Sequence, residues 1–132
     1  MSLQVSVLAS DGVFWNEEVE KVILPTNTGQ IGILTNHTPL ITALDVGVML
    51  VKFENTWVNL ILMGGFALVN KNKVIILVNE AEMASDVNSD EALTTLKEAQ
   101  EQFNNAKTRT EKIESNLSLK RARARYRAST MR

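Results

Sequence analysis

Side chains able to do chemistry are few in this chain and scattered. His37 is the single histidine, and cysteine is absent. A metal cluster or a nucleophile–base–acid triad needs several such groups converging. No acid lies nearer His37 in sequence than Asp45, so neither arrangement can be assembled around it. A loop histidine bonded to its own turn is the favoured reading of His37, ahead of a protein contact. Gly29 and Gly32 form G-x-x-G, without the Lys-Ser/Thr pair that opens the helix after a phosphate loop. Glu17, Glu18 and Glu20 cluster, but alternation at a strand end makes them a solvated edge. The sharpest charged feature is Lys120, Arg121, Arg123, Arg125 and Arg127; from Leu117 onward there are six bases and no acid. Complementing a helix C-terminal dipole accounts for about two or three cations, not for all of these. Nucleic acid, anionic lipid or an acidic protein surface would answer them.

The charge is divided along the chain. Residues 1–84 hold eight acids and four bases, whereas residues 85–132 hold seven acids and ten bases. Nucleic-acid binding draws on a basic domain, and the first part is acidic, so an acidic protein partner fits the run better. With 132 residues, 45% hydrophobic and 22% charged, the chain is globular. Its longest apolar stretch, Val58 to Val69, is broken by Asn59, Gly64 and Gly65 and falls short of the ~20 residues of a membrane span. The start, MSLQVSVLAS, has neither signal-peptide nor transit-peptide character and reads as strand from the outset.

These residues must be positioned by two kinds of element. Leu3, Val5, Val7 and Ala9 alternate with polar neighbours, as a half-buried strand does. Asp11-Gly12 predicts a hairpin turn. Further strands are expected at 13–15, 19–24, 31–34, 40–43, 48–53, 57–63, 66–69 and 74–78. Turns are expected at Pro25 to Gly29, Asp45 to Gly47 and Asn55-Thr56, a kink or bulge at Gly64-Gly65, and a polar turn at 70–73. That rhythm predicts an antiparallel β-sandwich. Pro39 holds Thr38 extended, so His37, Thr38 and Pro39 form a loop crossing.

After Ala84 the period changes to that of a helix. Asn88 with Glu91, and Thr108 with Glu111, read as two N-caps with returning carboxylates. Ala92, Leu96, Ala99, Phe103 and Ala106 form one stripe. In the second helix Ile113, Leu117 and Ala124 share a face on which Lys120 intrudes, and Leu119, Ala122 and Tyr126 form another. The expected class is α+β: a β-sandwich over residues 1–84, then an antiparallel two-helix hairpin over residues 85–132, marginal alone and able to move.

The stretch GQIGILTNHTPLITALDVG, followed by MGGFALV, ILVNEAE and a tail ending LKRARAR, closely resembles the epsilon subunits of F-type ATP synthases, of chloroplast and cyanobacterial type. Thr35 and Thr38 stand where that family's loop usually has Pro and Ala. The resemblance implies a rotor part without catalytic residues, metal or other cofactor. It implies that the sandwich clamps the gamma shaft and rests on the c-ring, with Gly29, Gln30 and Ile31 facing the ring and His37, Thr38 and Pro39 facing gamma. It also implies that Lys120, Arg121, Arg123, Arg125 and Arg127 meet an acidic segment of beta in the alpha–beta catalytic head and restrain ATP hydrolysis. The implied setting is the thylakoid surface, peripheral on the stromal side, or the cytoplasmic side in a cyanobacterium. Neither a nucleic acid nor a second copy is an expected partner. Some bacterial members bind ATP at the start of the first helix through an Asp and an Arg; Asn88 and Glu91 stand at those places here, so no tight ATP site is expected. The rival from another class is a free-standing β-sandwich adaptor whose basic helix binds lipid or RNA.

Overall fold

The computed structural model describes residues 2–131; Met1 and Arg132, the last of the C-terminal bases, lie outside them. The strands are β1 (Leu3–Ala9), β2 (Gly12–Val19), β3 (Lys21–Thr26), β4 (Gly29–Ile33), β5 (Leu40–Phe53), β6 (Thr56–Asn70), β7 (Lys73–Val78) and β8 (Ala81–Met83). A 3₁₀ turn, Ala84–Asp86, leads into α1 (Ser89–Asn105) and α2 (Arg109–Thr130). The strands hydrogen-bond in the order β2-β1-β7-β6-β5-β3-β4, with β8 added alongside β6. Every pairing is antiparallel except β1 with β7.

Two long strands turn this one sheet into two layers. β5 and β6 run 14 and 15 residues and stay in register from Leu40 opposite Val69 to Phe53 opposite Thr56. Both run on through the stretches where the sequence predicts a turn at Asp45 to Gly47 and a kink or bulge at Gly64-Gly65. Glycine at φ 79° and 144° bends β6 there without ending it. The ladder skips only the Asp45–Gly64 pair. Turn formers inside a ladder whose flanks remain paired make a bend, and here that bend is the corner of the sandwich.

The first half of β5 and the second half of β6 join β7, β1 and β2 as one leaf. The other halves join β3, β4 and β8 as the second. Leu3, Val5 and Val7 from the first leaf and Leu24, Met49, Val51, Leu60 and Leu62 from the second enter the same buried cluster. Two smaller corrections concern turns. The β5–β6 connection is Glu54-Asn55, both at positive φ, one residue earlier than predicted. Pro25 and Thr26 continue β3, so the loop shrinks to Asn27-Thr28.

The helices start where the caps place them. Asn88 Oδ1 accepts from the N–H groups of Asp90 and Glu91 at 3.0 and 3.1 Å. Thr108 Oγ1 accepts from Glu111 N–H at 3.1 Å. The Glu111 carboxylate returns to Lys107 N–H at 3.3 Å, one residue before the cap. Along the facing sides of the helices, Leu96, Ala99 and Phe103 pack on Leu119 and Ala122. Ala124 and Ala128 face the other way, onto Ile61 and Met63 of the second leaf. The split apolar face of α2 thus serves two partners at once. Ile113 and Leu117, predicted on the Ala124 face, remain exposed at 61% and 44%.

Candidate functional site

Among the described residues no three of His, Cys, Asp and Glu gather where a metal could bind. His37 is half-buried, and its Nδ1 is 2.7 Å from the Thr38 carbonyl, within its own turn. Asn36, at φ 64°, donates its N–H to Asn72 Oδ1 at 2.6 Å, which pins the loop to the β6–β7 turn. Thr38 and Pro39 beside it are exposed. Gly29, Gln30 and Ile31 begin β4, whose free side is an edge of the sheet; the two former are exposed and Ile31 is half-buried. The two groups therefore occupy separate surfaces, a pinned loop and a sheet edge, and neither forms a pocket with convergent polar groups.

The basic run divides in the folded chain. Arg125 forks onto Glu82: Nε donates to Oε2 at 2.9 Å and an Nη group to Oε1 at 3.1 Å. That hydrogen bond raises the guanidinium pKa, against the opposing effect of burial. Lys120 Nζ is 3.5 Å from Asp45 Oδ1, at the corner of the sandwich. Arg121, Arg123 and Arg127 project into solvent. At the end of α2, Asn59 Nδ2 donates to the Met131 carbonyl at 2.8 Å. Among the described residues, the hairpin is thus held against the second leaf by apolar packing centred on Ala124, Ala128 and Tyr126, two ion pairs and one side-chain hydrogen bond.

The outer face of the first leaf has no such cover. Register places Val13 beside Leu8, Leu8 beside Leu77, Leu77 beside Phe66 and Phe66 beside Ala43, an apolar row across five strands. Ile75, Leu68 and Ile41 form a parallel row next to it. Phe66 is 56% exposed and Ile41 74%. Sheet spacing makes the longer row about 19 Å wide. A contiguous apolar face of this kind is typical of interaction surfaces. Sequence reasoning missed it. The runs 66–69 and 74–78 are apolar on alternate and intervening positions alike, so periodicity could not say that one face is bare. The signal available was that near-continuous apolar character in a strand outside a parallel core.

Among the described residues no helix is long and apolar enough to cross a membrane. Two family models match consecutive parts of the chain. Residues 2–84 match the beta-sandwich domain of the ATP synthase Delta/Epsilon chain, and residues 85–130 match its long alpha-helix domain. An "ATP synthase epsilon chain, chloroplastic" from Nephroselmis olivacea is 58% identical over 131 residues, covering 99% of this chain and 98% of that one. The protein of the same description from Solanum lycopersicum is 46% identical over 129 residues, covering 98% and 97%. Among solved structures, a chain of the Euglena gracilis mitochondrial ATP synthase (OSCP/F1/c-ring) superposes with a TM-score of 0.84 at 22% identity, covering 93% of this chain and 78% of that one. A chain of the Tetrahymena thermophila mitochondrial ATP synthase central stalk and c-ring does so with a TM-score of 0.70 at 17% identity, covering 98% of each. At these identities the likeness is one of fold.

Proposed function

The chain belongs to the delta/epsilon family of ATP synthase subunits, and on that premise we propose that it is a central-stalk subunit of chloroplast type. In this reading it does no chemistry itself. The first leaf grips the gamma shaft through the bare row centred on Phe66, with the His37–Thr38–Pro39 loop at its margin. Gly29, Gln30 and Ile31 meet the c-ring from the β4 edge. The complex holds it at the thylakoid surface, on the stromal side, by protein contacts alone. Residues 1–84 then form the rotor-binding part and the helices that follow the regulatory part.

The observation that carries this reading is the difference between the outer faces. One is apolar and uncovered, as a subunit inside an assembly requires. The other is covered by the chain's own hairpin through alanines and ion pairs, contacts weak enough to separate. In the docked position Asp45 and Glu82 occupy Lys120 and Arg125. Once the hairpin lifts, Lys120, Arg121, Arg123, Arg125 and Arg127 all become available to an acidic surface of beta, where they oppose ATP hydrolysis.

The test is the ATPase rate of a catalytic head with its gamma shaft, carrying either the wild-type chain or the chain with Lys120, Arg121, Arg123 and Arg125 changed to Ala. The variant is expected to release inhibition, and added salt to do the same, because exposed charges are screened over about 8–10 Å. A variant that inhibits as well as the wild type removes the cationic arm from the mechanism. A chain that fails to co-purify with gamma, and instead binds anionic vesicles or RNA at ~150 mM salt, removes the rotor assignment as well.

A further inference from the structure

α2 is longer than its seat. Its 22 residues span about 33 Å, but the alanines that rest on the sheet, Ala124 and Ala128, lie in its last two turns. Followed back from Ala124, the same helical face carries Lys120, Leu117, Ile113 and Arg109, each within about 60° of it at 3.6 residues per turn. Lys120 reaches Asp45 at the sandwich corner, and there the cover ends. Beyond that point the sheet-facing stripe overhangs, with Ile113 and Leu117 in water.

Two exposed aliphatics on a helix are ordinary; the charges around them are not. A groove between the end of α1 and the start of α2 is lined by Phe103 and Ile113 and rimmed by Lys107, Arg109 and Lys112. Among the described residues the ion pairs are Lys52–Glu20, Lys120–Asp45 and Arg125–Glu82, so none of the three rim cations has a carboxylate partner. The opposite flank of the same hairpin end carries Glu98, Glu101, Glu111 and Glu114. The tip is therefore polarised: an apolar groove with a cationic rim on one flank, four carboxylates on the other.

The geometry points to this groove as a docking site for an acidic amphipathic helix of another protein chain. Aliphatic residues spaced i, i+4 on that helix would meet Phe103, Ile113 and Leu117, and its carboxylates would meet Lys107, Arg109 and Lys112. An anionic membrane is a poorer occupant, since a flat surface meeting the tip would also meet the four carboxylates. The site is separate from the inhibitory cations: Ile113 lies about 15 Å along the helix from Arg123. It lies within the hairpin itself and stays open while the hairpin is docked.

The test uses the full chain and three probes: a fluorescent helical peptide of leucines at i, i+4 flanked by glutamates, the same peptide with lysines for glutamates, and vesicles containing phosphatidylglycerol. The acidic peptide is expected to bind and the basic one not to. Ile113→Ser with Leu117→Ser, and separately Lys107→Glu with Arg109→Glu and Lys112→Glu, should each weaken the acidic peptide about tenfold or more. Arg123→Ala should change it less than about twofold. All five positions named for change at the groove are on the surface, so circular dichroism should be unaltered; if the serine pair perturbs folding, the charge reversal alone decides. A photo-crosslinker at position 113 in the assembled synthase should label a segment rich in carboxylates and aliphatics. Equal binding of both peptides, no loss in the decisive variant, preferential vesicle binding through the same residues, or a crosslink only to lipid or to this chain's own sandwich would each overturn the proposal.

Discussion

The two leaves bury one core and differ in what lies outside it. On the second leaf, Ile61 and Met63 are covered by Ala124 and Ala128 of the chain's own helix. On the first, Phe66, Leu77 and Ile41 face solvent. If both faces were there only to stabilise the monomer, both would be covered or both polar. The difference separates a contact that the chain makes with itself, small and electrostatically trimmed, from one that needs another molecule. The largest perturbation of this contrast is at the corner that creates the two leaves. Gly65 has φ 144°, and a Cβ there would overlap the Leu77 carbonyl oxygen and come within 2.9 Å of Val78 Cα. Gly65→Ala should therefore destabilise the fold by about 3 kcal/mol or more, read as the urea midpoint. A loss under about 0.5 kcal/mol, the range of ordinary surface changes, would mean that the bend does not depend on glycine.

The next test strikes the uncovered face alone. Phe66→Glu places a charge at the centre of the row while leaving the inward neighbours Ala67 and Val69 in place. Stability should change by less than about 0.5 kcal/mol, whereas affinity for gamma should fall by about 2 kcal/mol, near thirtyfold. Co-purification and binding titrations with the shaft separate the two effects. Equal retention of gamma by variant and wild type would make the bare row an incidental feature of the sheet.

These two positions also mark where the sequence was legible. Most strands, both helix caps, the class and the hairpin could be read, because each rests on local chemistry: alternation, an Asn or Thr oxygen facing free N–H groups, an Ala-rich stripe. The run of β2 on through Glu17 and Glu18 to Val19, and β8, could not. Nor could the continuity of β5 and β6. Asp45 to Gly47 and Gly64-Gly65 use the same residue types for a bend inside a ladder as for a turn that ends one, and only the cross-strand partners distinguish them. The parallel pairing of β1 with β7 joins segments about seventy residues apart in sequence, beyond any local pattern. Of the contact residues named from the loop and the β4 edge, Gly29, Gln30, Thr38 and Pro39 are exposed, whereas Ile31 and His37 are half-buried. Which of them a partner touches is a property of the partner's surface as well.

On the covered face, Ala128 on the underside of α2 is fully buried against the second leaf. Ala128→Phe has nowhere to place its ring, and overpacking costs about 1–3 kcal/mol. The cheap response is for the hairpin to lift as a unit, because what holds it is slight. Hydrogen exchange across 89–130 should accelerate while β1, β6 and β7 keep their protection, and proteases should find the helices first. If the first leaf loses protection in step with the hairpin, the two are one cooperative unit, and the contrast between a detachable and a permanent face disappears.

The smallest expected effect is at the ion pair that trims the covered face. Glu82→Gln removes the carboxylate that Arg125 grips and leaves a partly exposed guanidinium to be solvated, so docking should weaken by about 1 kcal/mol or less. Salt near 0.5 M should produce most of the same loosening in the wild type, since screening then acts within a few ångström. pH should not. Hydrogen bonding to Glu82 raises the Arg125 pKa in the folded state, so its contribution is complete below the unfolded value and is lost only as pH climbs through the folded one, deep in alkali. Moving from about pH 7 to about pH 9 leaves the arginine charged in both states. Hairpin protection factors, taken against the intrinsic exchange rate at each pH, that respond to salt but not to this pH change, and respond less to salt in Glu82→Gln, identify Arg125–Glu82 as part of the electrostatic hold. Protection factors that follow pH instead would place the control in a different group.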